Sequence, residues 1–220
     1  MAILLIRHGE TAGNRNRVVQ VAETPLSEHG LAQASHLAQR LAAASIGEIW
    51  TSPQPRARRT AAALEQVTGL VAREEVDLEE RSFGAIRGTP YAELGFDLMA
   101  EDYEPPEGES WPVFHTRVAR VWDRIETHWA DRYAQHGDAG PHLVIVSHGL
   151  VCRSLIERRL LPEAPLTEHR DENGRLFLRN TSLTRIEPRV APGGQVEYEV
   201  PLVGCVEHLE GDGPGAIGVV

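Results

Sequence analysis

Two apolar runs, far apart in the chain, end in the same way, and together they constrain the fold more than any other feature. Ile3-Leu4-Leu5-Ile6 runs into Arg7-His8-Gly9, and Leu143-Val144-Ile145-Val146 runs into Ser147-His148-Gly149. Short continuous apolar runs of this kind, bounded by turn-forming residues, are the pattern of strands buried on both faces of a parallel sheet. In such a sheet both histidines leave the same carboxyl edge, where α/β proteins place their ligands. A single histidine after a strand is usually structural. Two of them, each followed by glycine, make His8 and His148 a candidate pair, with His8 a candidate nucleophile toward phosphorus.

The rest of the chain keeps a strand–helix rhythm. Residues 11–24 are polar and read as a loop or broken turn above the sheet. Ser27 is a plausible N-cap for a helix whose buried stripe is Leu31, Ala34, Ala38, Leu41 and Ala42. Residues 47–52 read as a strand, 56–67 as a second helix and 70–78 as a further strand interrupted by acids. This alternation predicts an α/β fold of three layers, α/β/α, around a mostly parallel central sheet. Residues 84–111 break the rhythm and are expected to form a capping insertion within a single domain, since insertions of this length act as lids or binding loops. A long helix follows, with Phe114, Val118, Val121, Trp122, Ile125 and Trp129 on one face. A helix is expected over 150–161 after the second His-Gly. The short alternating runs 175–178 and 196–200 read as edge strands, and the glycine-rich 211–220 as a mobile tail.

Composition removes several classes of function. A net charge of −10 in 220 residues argues against nucleic acid as a partner. No apolar run is long enough for a membrane span or a signal-peptide core, so a cytoplasmic protein is expected. All 22 basic residues are arginine, which excludes P-loop lysines and Schiff-base chemistry. Cys152 and Cys205 stand apart and read as reduced thiols. The histidines form neither HExxH nor HxxxH, so a metal site has little support.

The ordered motifs resemble the histidine phosphatase superfamily, also called the phosphoglycerate mutase-like family. The likeness runs through Arg7-His8-Gly9-Glu10-Thr11 with Asn14, then Thr24-Pro25-Leu26-Ser27 with Gly30 and Gln33-Ala34. It continues in Ser52-Pro53 with Arg56-Ala57 and Thr60-Ala61, in 78–88, in Gly108-Glu109-Ser110, and in Ser147-His148-Gly149. The resemblance implies that His8 attacks phosphorus to form a phosphohistidine. Arg7, Arg56, Asn14, His148 and Gly149 are implied as phosphate or substrate ligands, and Glu80 as the general acid and base. Guanidinium forks suit phosphate geometry, and His8 must be neutral at its attacking nitrogen. Glu79 is the rival for the acid, with the order glutamate-arginine-aromatic-glycine favouring Glu80. No metal and no cofactor are called for, because the arginines and His148 supply the positive charge.

Departures from the family pattern bear on the substrate. Val21 stands where many relatives have glycine, and Ala85-Ile86-Arg87-Gly88 replaces an aromatic–acid pair before the glycine. Between Arg87 and Arg117 there is no arginine, while Glu93, Asp97, Glu101, Asp102, Glu104, Glu107 and Glu109 are acidic. If these acids face the substrate, they suit a leaving group that is neutral, cationic or apolar; the alternative is that they face solvent. The reading that follows is a metal-independent phosphomonoesterase whose partner is a small phosphorylated metabolite, compatible with a homodimer. A cofactor-dependent phosphoglycerate mutase and a catalytically weak phosphoprotein-binding module are the alternatives.

Overall fold

The computed structural model describes residues 1–209 except 165, 192 and 194; the expected tail over 211–220 lies outside the described residues. In strand β1 (Ile3–Arg7) every residue is buried, and alternate side chains serve opposite cores. Ile3 and Leu5 belong to one cluster, Leu4 and Ile6 to the other. Strand β4 (His142–Ser147) divides in the same way, Leu143 and Ile145 against Val144 and Val146. A strand apolar on both faces needs a layer on each side. One layer contains helices α4 (Trp111–His136) and α5 (Gly149–Leu155). The other contains α2 (Glu28–Leu41) and α3 (Pro55–Thr68).

Between the layers lies a six-stranded sheet in the order β3-β2-β4-β1-β5-β6. β3 (Arg73–Glu74), β2 (Ile46–Thr51), β4 and β1 run parallel, while β5 (Leu183–Val190) and β6 (Val196–Cys205) add antiparallel strands beyond β1. The expected α/β fold with a mostly parallel sheet is present. Register matters most at the centre: Arg7 pairs with Ser147. His8 and His148, each the next residue along, therefore leave the sheet side by side.

Several local expectations need correction. Residues 11–24 contain a short helix, α1 (Ala12–Asn16), started by a reciprocal Thr11–Asn14 capping box. Ser27 does cap α2, its Oγ accepting from the Gly30 amide at 3.0 Å. The buried stripe of α2 is Gly30, Gln33, Ala34, Leu37, Ala38 and Leu41, whereas Leu31 and Ala42 are exposed. The phase is set by Gly30, where a Cβ would stand 2.0 Å from the Glu10 carbonyl oxygen. Only a glycine lets α2 approach the loop after His8 so closely. Residues 70–78 yield a two-residue strand and a 3₁₀ turn, Val76–Leu78. Residues 175–178 form no strand. Asp171 accepts the amides of Asn173 and Arg175 in a turn, and Leu176 and Leu178 enter the core from it. Nor does the helix over 150–161 stay regular: α5 passes at Ile156–Leu160 into a π-helical turn.

Residues 84–111 are tied down at both ends. Gly84 has φ +53°, and Pro106 accepts the Ala85 amide at 2.8 Å while Ser82 accepts that of Glu109 at 2.8 Å. Arg81 lies over the Trp111 ring, 3.8 Å from its centroid, and donates to the carbonyls of Glu109 and Tyr103. Among the described residues no helix is long and apolar enough to cross a membrane.

Candidate active site

His8 is held from both sides before its ring does anything. Its amide donates to the Ser147 carbonyl at 2.9 Å, and its carbonyl accepts from the Thr181 amide and from Asn180 Nδ2. The ring is 2% exposed, and Nδ1 lies 2.7 Å from the Gly9 carbonyl oxygen. A carbonyl can only accept, so Nδ1 carries the proton and Nε2 keeps its lone pair. Burial, and then the Arg56 and Arg7 charges, hold the His8 pKa well below the ordinary histidine range. The imidazole is thus neutral, with its proton on Nδ1 and a lone pair on Nε2.

Three buried side-chain nitrogens beside it, Arg7 Nε, Arg56 Nε and His148 Nδ1, have no hydrogen-bond partner among the described residues. Arg7 is anchored by donating to the Leu178 carbonyl. Arg56, the second residue of α3, donates to the carbonyls of Val21 and Ala22 and to Gln54. Burial pulls the Arg56 pKa down to about 10, so it remains a cation at neutral pH. His148 is fully buried, its ring centroid 5.1 Å from that of His8. Its Nε2 lies 2.8 Å from Ser52 Oγ, which accepts the Gln54 amide and can donate to the ring. When Ser52 Oγ donates to Nε2, the His148 proton sits on Nδ1, the unpartnered atom. Burial of three such donors is costly unless an acceptor joins them, and an oxyanion with several lone pairs is the acceptor that fits. Asn14 Oδ1 accepts from Thr11 and Asn180, which leaves its amide nitrogen as a further donor.

Glu79 and Glu80 both line the cavity of about 120 Å³ that also contains Arg7, His8, Asn14 and Arg56. Their surroundings differ. Glu80 accepts the Arg81 amide through Oε1 and the Leu150 amide through Oε2, each at 3.1 Å. Burial nevertheless raises its pKa above the ordinary carboxyl value, against the pull of those amides and of Arg56 and Arg7. A carboxyl of raised pKa beside two arginines is suited to giving and taking a proton. Arg117 clamps the backbone here, donating to the carbonyls of Asp77 and Glu79 while forming a two-pronged ion pair with Glu109.

Gly149, the first residue of α5, lies outside this cavity and lines the adjoining one. Tyr91 lines both, and burial pushes its phenol up to about 12. The acids of 88–111 do not face His8. Glu93, Glu101, Asp102, Glu104 and Glu107 are exposed, Glu109 is bound to Arg117, and Asp97 is paired with Arg175. Solvent is where most of that negative charge points. Arg58 pairs with Glu65 and Glu74, and Arg153 with Glu157. Glu10 orders the loop by accepting from Ser27 Oγ at 2.8 Å.

Sequence reasoning missed Asn180 and Thr181, which arrive from more than a hundred residues away and carry no motif. It also missed the roles of Ser52 beside His148 and of Thr60, whose Oγ1 accepts the Gly9 amide at 3.0 Å. Both lie inside motif blocks, so position alone could have flagged them. Among the described residues no group of three or more His, Cys, Asp or Glu side chains is gathered to hold a metal ion.

Residues 3–196 match the family model described as the histidine phosphatase superfamily, branch 1. A probable phosphoglycerate mutase of Yersinia enterocolitica is 29% identical over 221 residues, covering 96% of this chain and 95% of the relative. In fold, the chain is similar to a mycobacterial glucosyl-3-phosphoglycerate phosphatase, with a TM-score of 0.74, 23% identity, and 92% and 98% of the two chains covered. It is likewise similar to a phosphoglycerate mutase from Bacillus anthracis, with a TM-score of 0.71, 24% identity, and 96% and 95% covered. The chain belongs to the histidine phosphatase superfamily.

Proposed function

We propose that this protein is a metal-independent phosphomonoesterase that hydrolyses a small phosphorylated metabolite through a phosphohistidine on His8. The observation that carries the reading is the set of three unpartnered buried donors, from Arg7, Arg56 and His148, around an imidazole whose Nε2 is free to attack. Phosphoryl transfer needs little covalent help beyond positioning and stabilisation of charge on the equatorial oxygens. In the first step His8 Nε2 bonds to phosphorus, the bond to the ester oxygen breaks, and Glu80 gives that oxygen its proton. In the second, Glu80 takes a proton from water, the water oxygen bonds to phosphorus, and His8 leaves with its lone pair restored.

The name of the Yersinia relative favours a second reading, a phosphoglycerate mutase that returns the phosphoryl group to a second hydroxyl rather than to water. One assay separates the two. Wild type and His8→Ala are incubated in EDTA with p-nitrophenyl phosphate, a panel of phosphorylated metabolites, and 3-phosphoglycerate with a bisphosphorylated primer. Phosphate release that survives the chelator and is absent from the variant is expected. Primer-dependent isomerisation without net phosphate release would establish the mutase instead.

A further inference from the structure

Glu80 can act as an acid only if its carboxyl reaches the ester oxygen, yet residues 79–83 belong to no helix or strand. Its position is therefore set by what the backbone on either side is bound to. Just before it, Ser147 Oγ donates to the Leu78 carbonyl at 2.7 Å. From residue 79 to residue 82 the backbone is bound to one pair of residues, Arg117 in α4 and Glu109 shortly before that helix. Neither lines the His8 cavity.

All five N–H groups of the Arg117 guanidinium are engaged. Nη1 donates to the carbonyls of Asp77 at 2.9 Å and Glu79 at 2.8 Å, and Nη2 to that of Glu80 at 3.4 Å. Nε and Nη2 meet Glu109 Oε1 and Oε2 at 2.8 and 2.7 Å. Glu109 Oε2 also accepts the Ser82 amide at 2.9 Å, and the Glu109 amide donates to the Ser82 carbonyl at 2.8 Å. Glu80 thus lies between two anchors, Arg117 on the carbonyls up to its own and Glu109 on Ser82 beyond it. Burial raises the Glu109 pKa, but the Arg117 fork, the Ser82 amide and the Arg81 charge outweigh it and hold it below the ordinary value. Glu109 is an anion at neutral pH and no rival for the proton. A lysine at 117, with one point charge and three donors, could not hold both the carbonyls and the carboxylate in one plane.

We propose that Arg117 and Glu109 are positioning residues for the Glu80 carboxyl, and that their effect on catalysis grows with the basicity of the alcohol that leaves. The proposal rests on the phosphatase reading above. p-Nitrophenolate is a stable anion and leaves with little help, whereas ethoxide needs the Glu80 proton as its bond to phosphorus breaks. Because kcat/KM covers only the steps up to the phosphohistidine, the later work of Glu80 on water does not enter it. The test is kcat/KM for p-nitrophenyl, phenyl and ethyl phosphate in wild type, Arg117→Lys and Glu109→Gln. Losses of about threefold or less on the nitrophenyl ester and about 10²-fold on the ethyl ester are expected, with the phenyl ester between, since a displacement of about 1 Å is enough for such a loss. Ratios between esters are read within one preparation, so they do not depend on the fraction folded. Joined to Glu80→Gln, either substitution should cost less than about threefold more on the ethyl ester. Equal losses on all the esters, or a full further loss in the Glu80→Gln background, would overturn the proposal and leave the phosphatase reading standing. If wild type hydrolyses none of the esters, the phosphatase reading falls and the positioning role with it.

Discussion

At His8 everything turns on which ring nitrogen carries the proton, and one backbone carbonyl decides it. The Gly9 carbonyl accepts a hydrogen bond from Nδ1, which keeps its proton, the two arginines discourage a second one, and Nε2 is left to react. Glu80 is tuned the opposite way, its pKa raised by burial. Phosphorylation of His8 requires a neutral imidazole and a protonated carboxyl. A lowered histidine pKa extends the first condition toward acid, and a raised glutamate pKa extends the second toward neutrality. The rate of the phosphorylation burst should therefore hold or increase from about pH 7 to about pH 5, where an ordinary histidine of pKa ~6.5 would already be protonated. Rapid-quench measurement over that range checks it, and a fall centred near pH 6.5 would contradict it. Glu80→Gln should lower turnover by ~10²–10⁴, the usual worth of general acid–base help, and Glu79→Gln by far less. Equal and mild losses in the two variants would remove Glu80 from its role.

At the scale of elements, the parts legible in the sequence were those whose side chains bury by simple periodicity. β1 and β4 are apolar on both faces, so their runs are unbroken. The stripe of α4 contains large residues that only one phase can bury, and all six named in the sequence are buried. α2 was harder because it is rich in alanine, and the choice between Leu31 and Leu37 follows from Gly30 against Glu10, a contact between distant segments. Leu37→Ala should cost ~2–5 kcal/mol of stability, as for a buried leucine. Leu31→Ala should stay within ~0.5 kcal/mol, as for an exposed one; urea denaturation of both variants measures the difference. Gly30→Ala forces a methyl group into the Glu10 backbone, and should cost ~1–3 kcal/mol while lowering turnover, because the same loop carries His8. Asn180 and Thr181 were illegible for a related reason: their partner is the His8 carbonyl, and only the closed sheet brings them to it.

For the molecule as a whole, a neutral, buried His8–His148 pair has a consequence for stability. Both histidines are held below their ordinary pKa by burial and by nearby arginines. Below about pH 6.5 the unfolded chain takes up protons that the folded chain refuses, so stability falls as pH falls through that value toward the folded pKa. The midpoint of urea unfolding should decline from about pH 7 to about pH 5, and less steeply in His8→Asn; an identical slope in the two proteins would show that His8 is not held neutral. The same architecture explains how the site is assembled: two parallel strands in register deliver the histidines, α3 delivers Arg56, and the turn after Val76–Leu78 delivers Glu80. The most direct test of their joint purpose is to trap the covalent intermediate. Wild type is mixed with an ester labelled at phosphorus, quenched in alkali, digested and mapped by mass spectrometry. The account predicts an acid-labile, alkali-stable phosphoryl group on the peptide containing His8, absent from His8→Ala. Undiminished turnover in His8→Ala, or label on a different residue, would contradict it.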